Sequence, residues 1–501
     1  MTHPLWQSIP FFCILFPLGS AALTSVLKRR WASRWALFVL SVETAVSFAF
    51  VFLMAAYGQS YTYTMGHYTA PWGNEIRAGL LEAVTAAVFS LIMLFSTLGG
   101  SKKVEEHILT DKQPLYYVML LLLQAALMAE VYTNDIFTAY VFVEIMTLSA
   151  CVLIAARKRG RTLMAATRYM IMNLIGSGLF LLGIIMLYSL TGHLLMSNIK
   201  ESVQLLIQSG DYKVPLTVVV ALITIGLCIK SALFPFHTWV PDAYGYSTPT
   251  SSAILSSLVS KGYIFLLIKI FYRTIGYDQV MSGGISNVLF VYAMAGMIIG
   301  SLLALQQNDI RTMIALSSVA QIGYIYVGIG MGTESGMMAA VFHIFAHSVC
   351  KSMLFLASGG LADASGNSKK FADLRGSGFR SPIAGAAFTI GALGMVGFPF
   401  LGGFTSKINF ALGAMEMGGI RMILVLLGLV ISTWLNTLYF LRTVVTIYSK
   451  PDASKIYPKE KGRRGIRYQV ALIVFCLCNF ALGLFSQPLL AAISNGLAMF
   501  G

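Results

Sequence analysis

Residues 213–239 read KVPLTVVVALITIGLCIKSALFPFHTW. The first part is an apolar run long enough to cross a hydrocarbon core, which takes about 20 residues of helix. A lysine, Lys230, stands inside that run, and Phe234-Pro235-Phe236 follows it. A proline within a helix removes a hydrogen bond and frees a carbonyl. In a bilayer such a break is tolerated only where the backbone is buried in protein or lines water. The stretch therefore predicts a membrane helix that is interrupted beside a buried charge.

Comparable runs recur along the chain near 8–27, 33–57, 79–98, 114–132, 134–156, 168–191 and 213–235, then near 248–273, 286–306, 310–331, 336–360, 382–412, 420–448 and 467–495. They predict an all-α polytopic membrane protein of about fourteen transmembrane helices. Composition agrees: of 501 residues 57% are hydrophobic and 11% charged, with a mean hydropathy of +0.76. Soluble domains carry about 25% charged residues. The run at 8–27 lacks the basic flank and small-residue cleavage site of a signal peptide, so a retained helix is expected.

The net charge of +15 does not point to nucleic acid, because the basic residues sit between apolar runs. The first loop holds Lys28, Arg29, Arg30 and Arg34, and the third Lys102, Lys103 and Lys112. The fifth holds Arg157, Lys158, Arg159 and Arg161, and the eleventh Lys369, Lys370, Arg375 and Arg380. The thirteenth holds Lys450, Lys455, Lys459, Lys461, Arg463, Arg464 and Arg467. Even-numbered loops hold few, and Lys200 and Lys213 are offset by Glu201 and Asp211. The positive-inside rule then places odd loops in the cytoplasm and both chain ends outside it, in a cell inner (plasma) membrane. The six cysteines form no CxxC pair, which argues against a cluster or zinc site.

An ionisable residue at the bilayer centre costs about 2.5–3.5 kcal/mol and usually marks an ion path. Glu144, Lys230, Lys261, Lys351 and Lys407 all fall inside apolar runs. Snorkelling to the interface accounts more simply for Lys269, Arg442 and Arg168. His343, His347 and Lys351 recur at i, i+4 and i+8 and share a helical face. With a lysine on that face and no acidic or thiol ligand nearby, a proton relay fits better than a metal site. Helix breaks are expected at Pro235, Pro249 and Pro399. Two Phe-Pro-Phe segments, 234–236 and 398–400, each near a lysine, suggest inverted repeats with an ion site. The expected units are 1–112 (helices 1–3), 113–275 (helices 4–8, first repeat), 276–450 (helices 9–13, second repeat) and 451–501 (basic loop and helix 14).

At these residues the chain resembles the antiporter-like proton-conducting subunits of respiratory complex I, membrane-bound hydrogenases and Mrp-type cation/proton antiporters. The likeness runs from PWGNEIRAGLLEA (71–83) to STWLNTLYFLR (432–442). KSALFPFHTWVPDAYGYSTPTSSAILSSLVSKG (230–262) is its most specific segment, with NDIFTAYVFVE (134–144), HIFAHSVCKSMLFLASGGLAD (343–363) and GFPFLGGFTSK (397–407) in support. The resemblance implies that Glu144 of helix 5 pairs with Lys230 of helix 7. It implies further that Lys261, His343, His347, Lys351 and Lys407 carry protons between two half-channels. Other membrane subunits would be the partners and protons the cargo, with sodium a further candidate.

Departures are Tyr244-Gly245-Tyr246 where the family often has a histidine, a single Pro399 where it often has two prolines, and Arg168 in place of a lysine. The long lateral helix of the largest members is not expected after helix 14.

No GxxxxGK[ST] loop, GxGxxG turn or metal-ligand cluster occurs, so no cofactor is expected in this chain and the driving energy has to come from elsewhere. A stand-alone solute transporter would need a midplane cavity with aromatic or amide contacts. A non-transporting scaffold would lack the intramembrane charges.

Overall fold

The computed structural model describes residues 5–65, 68, 73–157, 160–210, 212–282, 284–451 and 465–500. Pro71, Trp72, Lys158, Arg159, Asp211, Lys455, Lys459, Lys461, Arg463 and Arg464 lie outside them. Thirteen of the described helices are long and apolar enough to cross a membrane. We number the spans α1 (Trp6–Val26), α2 (Arg29–Tyr57), α3 (Leu80–His107), α4 (Thr110–Tyr132), α5 (Ile136–Ala155), α6 (Gly160–Thr191) and α7 (Lys213–Tyr246). They continue as α8 (Pro249–Ile275), α9 (Ile285–Leu305), α10 (Ile310–Gly330) and α11 (Glu334–Asp363). The broken pair α12a (Pro382–Val396) and α12b (Gly402–Met417) makes the fourteenth span. It is followed by α13 (Gly419–Tyr448) and α14 (Ile466–Leu484).

Burial sorts these helices into a centre and a rim. The spanning windows of α8, α10 and α11 are wholly buried. By contrast α1, α2, α6, α13 and α14 leave large apolar side chains such as Phe52, Leu174, Val430, Trp434 and Leu477 exposed. Exposure on that scale is disfavoured in water and suits lipid.

Very short turns between spans are stabilised by N-caps, which satisfy amides that a helix start leaves free. Asp135 accepts from Thr138 N at 2.6 Å at the start of α5. Asp309 accepts from Arg311 N and Thr312 N at 2.8 and 3.1 Å before α10. Thr333 accepts from Gly336 N at 3.1 Å before α11.

The interruptions are where the lysines are. The first part of α7, Lys213–Ser231, ends at Ala232, which has φ 67°, and helix resumes only after Pro235. α12a ends at Gly397 with φ 90°, and Phe400 with φ 70° precedes α12b. Pro249, expected to break a helix, instead opens one. It occupies the first turn of α8, where its missing N–H costs nothing, and Thr248 caps that turn by accepting from Ser251 N. The irregularity in α8 is a π turn at Leu255–Val259.

Several shorter elements lie outside the spans, among them a hairpin, an amphipathic helix and a last helix, Ser486–Ala498. Tyr61–Thr64 and Glu75–Ala78 form an antiparallel hairpin with Tyr61 opposite Ala78. Met196–Ser209 forms an amphipathic helix that buries Met196, Ile199 and Val203.

Candidate functional site

The site begins on α5. Glu144 and Thr147 are three residues apart and so share a face. Lys230, near the end of the first part of α7, reaches both: its Nζ donates to Glu144 Oε1 at 3.2 Å and to Thr147 Oγ1 at 2.8 Å. The lysine side chain is completely buried, while a quarter of the glutamate's is exposed. Ser177 of α6 also donates to Glu144. Behind the lysine, the Tyr263 ring lies 5.4 Å from the ammonium, and its hydroxyl is 3.0 Å from Thr147 Oγ1. An ammonium over an aromatic face is favoured by the ring quadrupole.

Lys261 lies two residues beyond the π turn of α8. A π turn disturbs the regular ladder and frees carbonyls, and Lys261 Nζ donates to one of them, Ser256 O, and to Ser260 Oγ at 3.0 Å. The junction of α7 and α8 is fixed by buried Arg311, which donates to Tyr244 O, Ser247 O and Ser252 Oγ at 3.3, 2.7 and 2.6 Å. Tyr244, one of the departures from the family pattern, donates to Leu255 O at 3.3 Å, the first carbonyl of the π turn.

On α11 the two histidine rings are 5.8 Å apart between centroids. His343 is held at both nitrogens, Nδ1 2.8 Å from Ser406 Oγ on α12b and Nε2 2.9 Å from Gln321 Oε1 on α10. His347 is buried with neither ring nitrogen hydrogen-bonded among the described residues. Lys351 does not turn towards the histidines; its Nζ donates to Ile314 O at 2.8 Å and to Ser317 Oγ, both on α10. Ser348 and Ser352 join α11 to the π turn through Ser257 O and Ser257 Oγ at 2.6 and 2.9 Å.

Lys407 closes the row. Its Nζ donates to Val396 O at 2.6 Å and to Thr433 Oγ1 at 2.9 Å. Val396 is the last residue of α12a, so the ammonium sits on a carbonyl freed by the break and at the negative end of a helix dipole. The Tyr324 ring is 5.7 Å from the same ammonium and also stacks on His343.

The structure thus brings Glu144 to Lys230 and His343 to His347. Among the described residues no direct hydrogen bond links Lys230 to Lys261, Lys261 to His347, or His343 to Lys407. Serine and threonine hydroxyls border the intervals: Ser256 and Ser318 are 2.9 Å apart between α8 and α10. Thr147, Ser177, Gln321 and Thr433 complete the site, and the only sequence signal for them is polarity inside an apolar run.

Snorkelling holds in part for the three charges expected to do so. Arg442 is exposed and caps α9 through Leu305 O and Gln307 O. Arg168, largely exposed, pairs with Asp242. Lys269 is a correction: it is wholly buried and donates to Glu130 O and Val131 O at the end of α4.

Residues 133–432 match the family described as NADH:quinone oxidoreductase/Mrp antiporter, TM. The chain belongs to this family. It is a multi-pass, antiporter-like membrane protein. The NADH-quinone oxidoreductase subunit N of Desulforudis audaxviator (strain MP104C) is 31% identical over 501 residues, covering 96% of this chain and 97% of the relative. A Staphylococcus aureus (strain MRSA252) protein named as antiporter subunit mnhD2 is 29% identical, covering 87% and 84%.

Two solved structures share the fold. The Mrp complex from Dietzia sp. DQ12-45-1b contains a chain with a TM-score of 0.87 at 23% identity, covering 99% of this chain and 97% of that one. The membrane-bound sulfane sulfur reductase, an archaeal respiratory membrane complex, contains one with a TM-score of 0.86 at 24% identity, covering 98% of each.

Proposed function

We propose that this protein is the proton-translocating, antiporter-like subunit of a multisubunit membrane complex, of the complex I, hydrogenase or Mrp type. The Lys230–Glu144 pair carries the reading: a fully buried ammonium is held against a carboxylate that remains partly accessible. While Glu144 stays beside it, the ammonium keeps its proton. When the carboxylate moves away, burial favours the neutral amine and the proton leaves.

The released proton passes by way of Lys261 and the His343–His347–Lys351 face to Lys407. Each of these groups can hold or release a proton, and each is placed beside a carbonyl, hydroxyl or ring. From Lys407 the proton leaves through the second half-channel. Odd-numbered loops face the cytoplasm of the inner (plasma) membrane, and both ends of the chain face the other side, following the distribution of lysine and arginine. Neighbouring membrane subunits supply the driving energy and the signal that moves Glu144.

A sodium/proton antiporter subunit without redox partners is the second reading, favoured by the likeness to the mnhD2 protein. Proton flux in vesicles carrying the native complex, wild type against Lys230→Ala, tests the proposal. Loss of flux in an assembled complex is expected; undiminished flux would make the lysine structural and the chain a scaffold.

A further inference from the structure

Glu130 stands on α4, two residues before that helix ends at Tyr132, and is wholly buried. Neither oxygen of its carboxylate has a hydrogen-bond partner among the described residues. Its backbone is treated differently. Lys269 Nζ donates to the carbonyls of Glu130 and Val131 at 3.2 and 2.8 Å. Lys269 therefore caps the end of α4, as a cation suits the last turn of a helix, and its hydrogen bonds leave the carboxylate out.

The carboxylate points into the site. It fills the space where Gly262 has no side chain: a Cβ there would come within 2.9 Å of Glu130 Oε2. Gly262 lies between Lys261 and Tyr263. Tyr263 shares the Thr147 hydroxyl with Lys230, at 3.0 and 2.8 Å respectively. The positive charges acting on Glu130 are those of Lys230 and Lys269. The negative charges acting on Lys230 are those of Glu144 and then Glu130. Lys230 thus has two acids of unlike character. Glu144 is partly exposed, in contact, and hydrogen-bonded by Ser177. Glu130 is interior, and its carboxylate carries no hydrogen bond among the described residues.

A buried anion without hydrogen bonds is costly, and so is a buried ammonium whose partner has gone. Passing one proton between them turns two buried charges into two neutral groups. We propose that Glu130 is a second proton-transfer residue of this site, which accepts the proton that Lys230 gives up when Glu144 withdraws. An N–H bond at Lys230 Nζ breaks and an O–H bond forms on the Glu130 carboxylate; ammonium becomes amine, carboxylate becomes acid, and net charge is unchanged. Glu130 gives the Lys230 proton a destination separate from Lys261.

This inference rests on Lys230 being a proton carrier, and the test separates the two. The native complex is compared at rest and in turnover by infrared difference spectroscopy, with proton flux measured alongside, for wild type, Glu130→Gln, Glu130→Asp and Lys230→Ala. The expected result is a deuterium-sensitive carboxyl C=O band that is lost in Glu130→Gln and shifted in Glu130→Asp. Flux in assembled Glu130→Gln falls by roughly a hundred-fold or more, the scale of a lost acid–base group. Should Glu130→Gln fail to assemble, the band shift in Glu130→Asp decides. An unmoved band, or wild-type flux in Glu130→Gln while Lys230→Ala is inactive, overturns the role of Glu130 and leaves Lys230 a carrier. Wild-type flux in Lys230→Ala overturns both.

Discussion

Thr147 holds Lys230 at 2.8 Å, closer than the 3.2 Å that separates the same ammonium from Glu144. The lysine therefore has a neutral anchor that remains when the carboxylate leaves. Replacing Thr147 by Val keeps the shape and removes the acceptor. A hydrogen bond to a charged group contributes about 1.5–3 kcal/mol, so proton flux should fall roughly ten-fold with assembly unchanged. Flux assays on vesicles with the subunit content quantified check this.

Glu144→Gln removes the charge that keeps the Lys230 proton in place, while an amide can still accept from Ser177 and Lys230. Transport should be crippled and the complex still purified whole. Normal transport in that variant would count against the ion-pair mechanism.

The Glu82–Arg273 pair is a matter of stability. Both side chains are 1% exposed. Removing one partner from such a pair costs about 3–5 kcal/mol because the other charge stays buried. Glu82→Leu alone should lower the melting temperature of the detergent-solubilised protein and its yield. The double variant Glu82→Leu/Arg273→Met should recover most of the loss. Equal damage in single and double variants would mean that the pair orders this region in some other way.

His347 is the one member of the His343–His347–Lys351 face without a hydrogen bond among the described residues, so its ring is free to change partners. His347→Phe keeps the volume and removes both nitrogens. Flux should drop while thermal stability changes little. For His343, fixed by Ser406 and Gln321, the same substitution should cost both flux and stability, since it leaves buried polar groups unpaired.

The spans were legible because a bilayer demands long apolar runs and the chain contains them. The lysines were legible because charge inside such runs is costly and therefore conspicuous. Other features follow from tertiary packing. The Met196–Ser209 helix is too short for a spanning window, and its buried face is carried by only a few residues. Pro249 looks like a breaker in a linear reading, yet a proline in a first turn is a helix start. Lys269 lies near a span end, where snorkelling is the simpler expectation, until α4 is seen to end against it. Glu130 sits so near the end of its run that depth could not be assigned until Gly262 of α8 was placed against its carboxylate. Thr147 and Ser317 are ordinary helix residues in sequence and become lysine partners only when α5 meets α7 and α10 meets α11.

The most direct test of the central claim is proton flux through the native complex carrying Lys230→Arg. Arginine keeps the positive charge and can still pair with Glu144, but it does not give up its proton. If Lys230 works by releasing a proton, the variant assembles and its flux is abolished. Wild-type flux with arginine at this position would mean that a fixed charge suffices, and proton release from Lys230 would be contradicted.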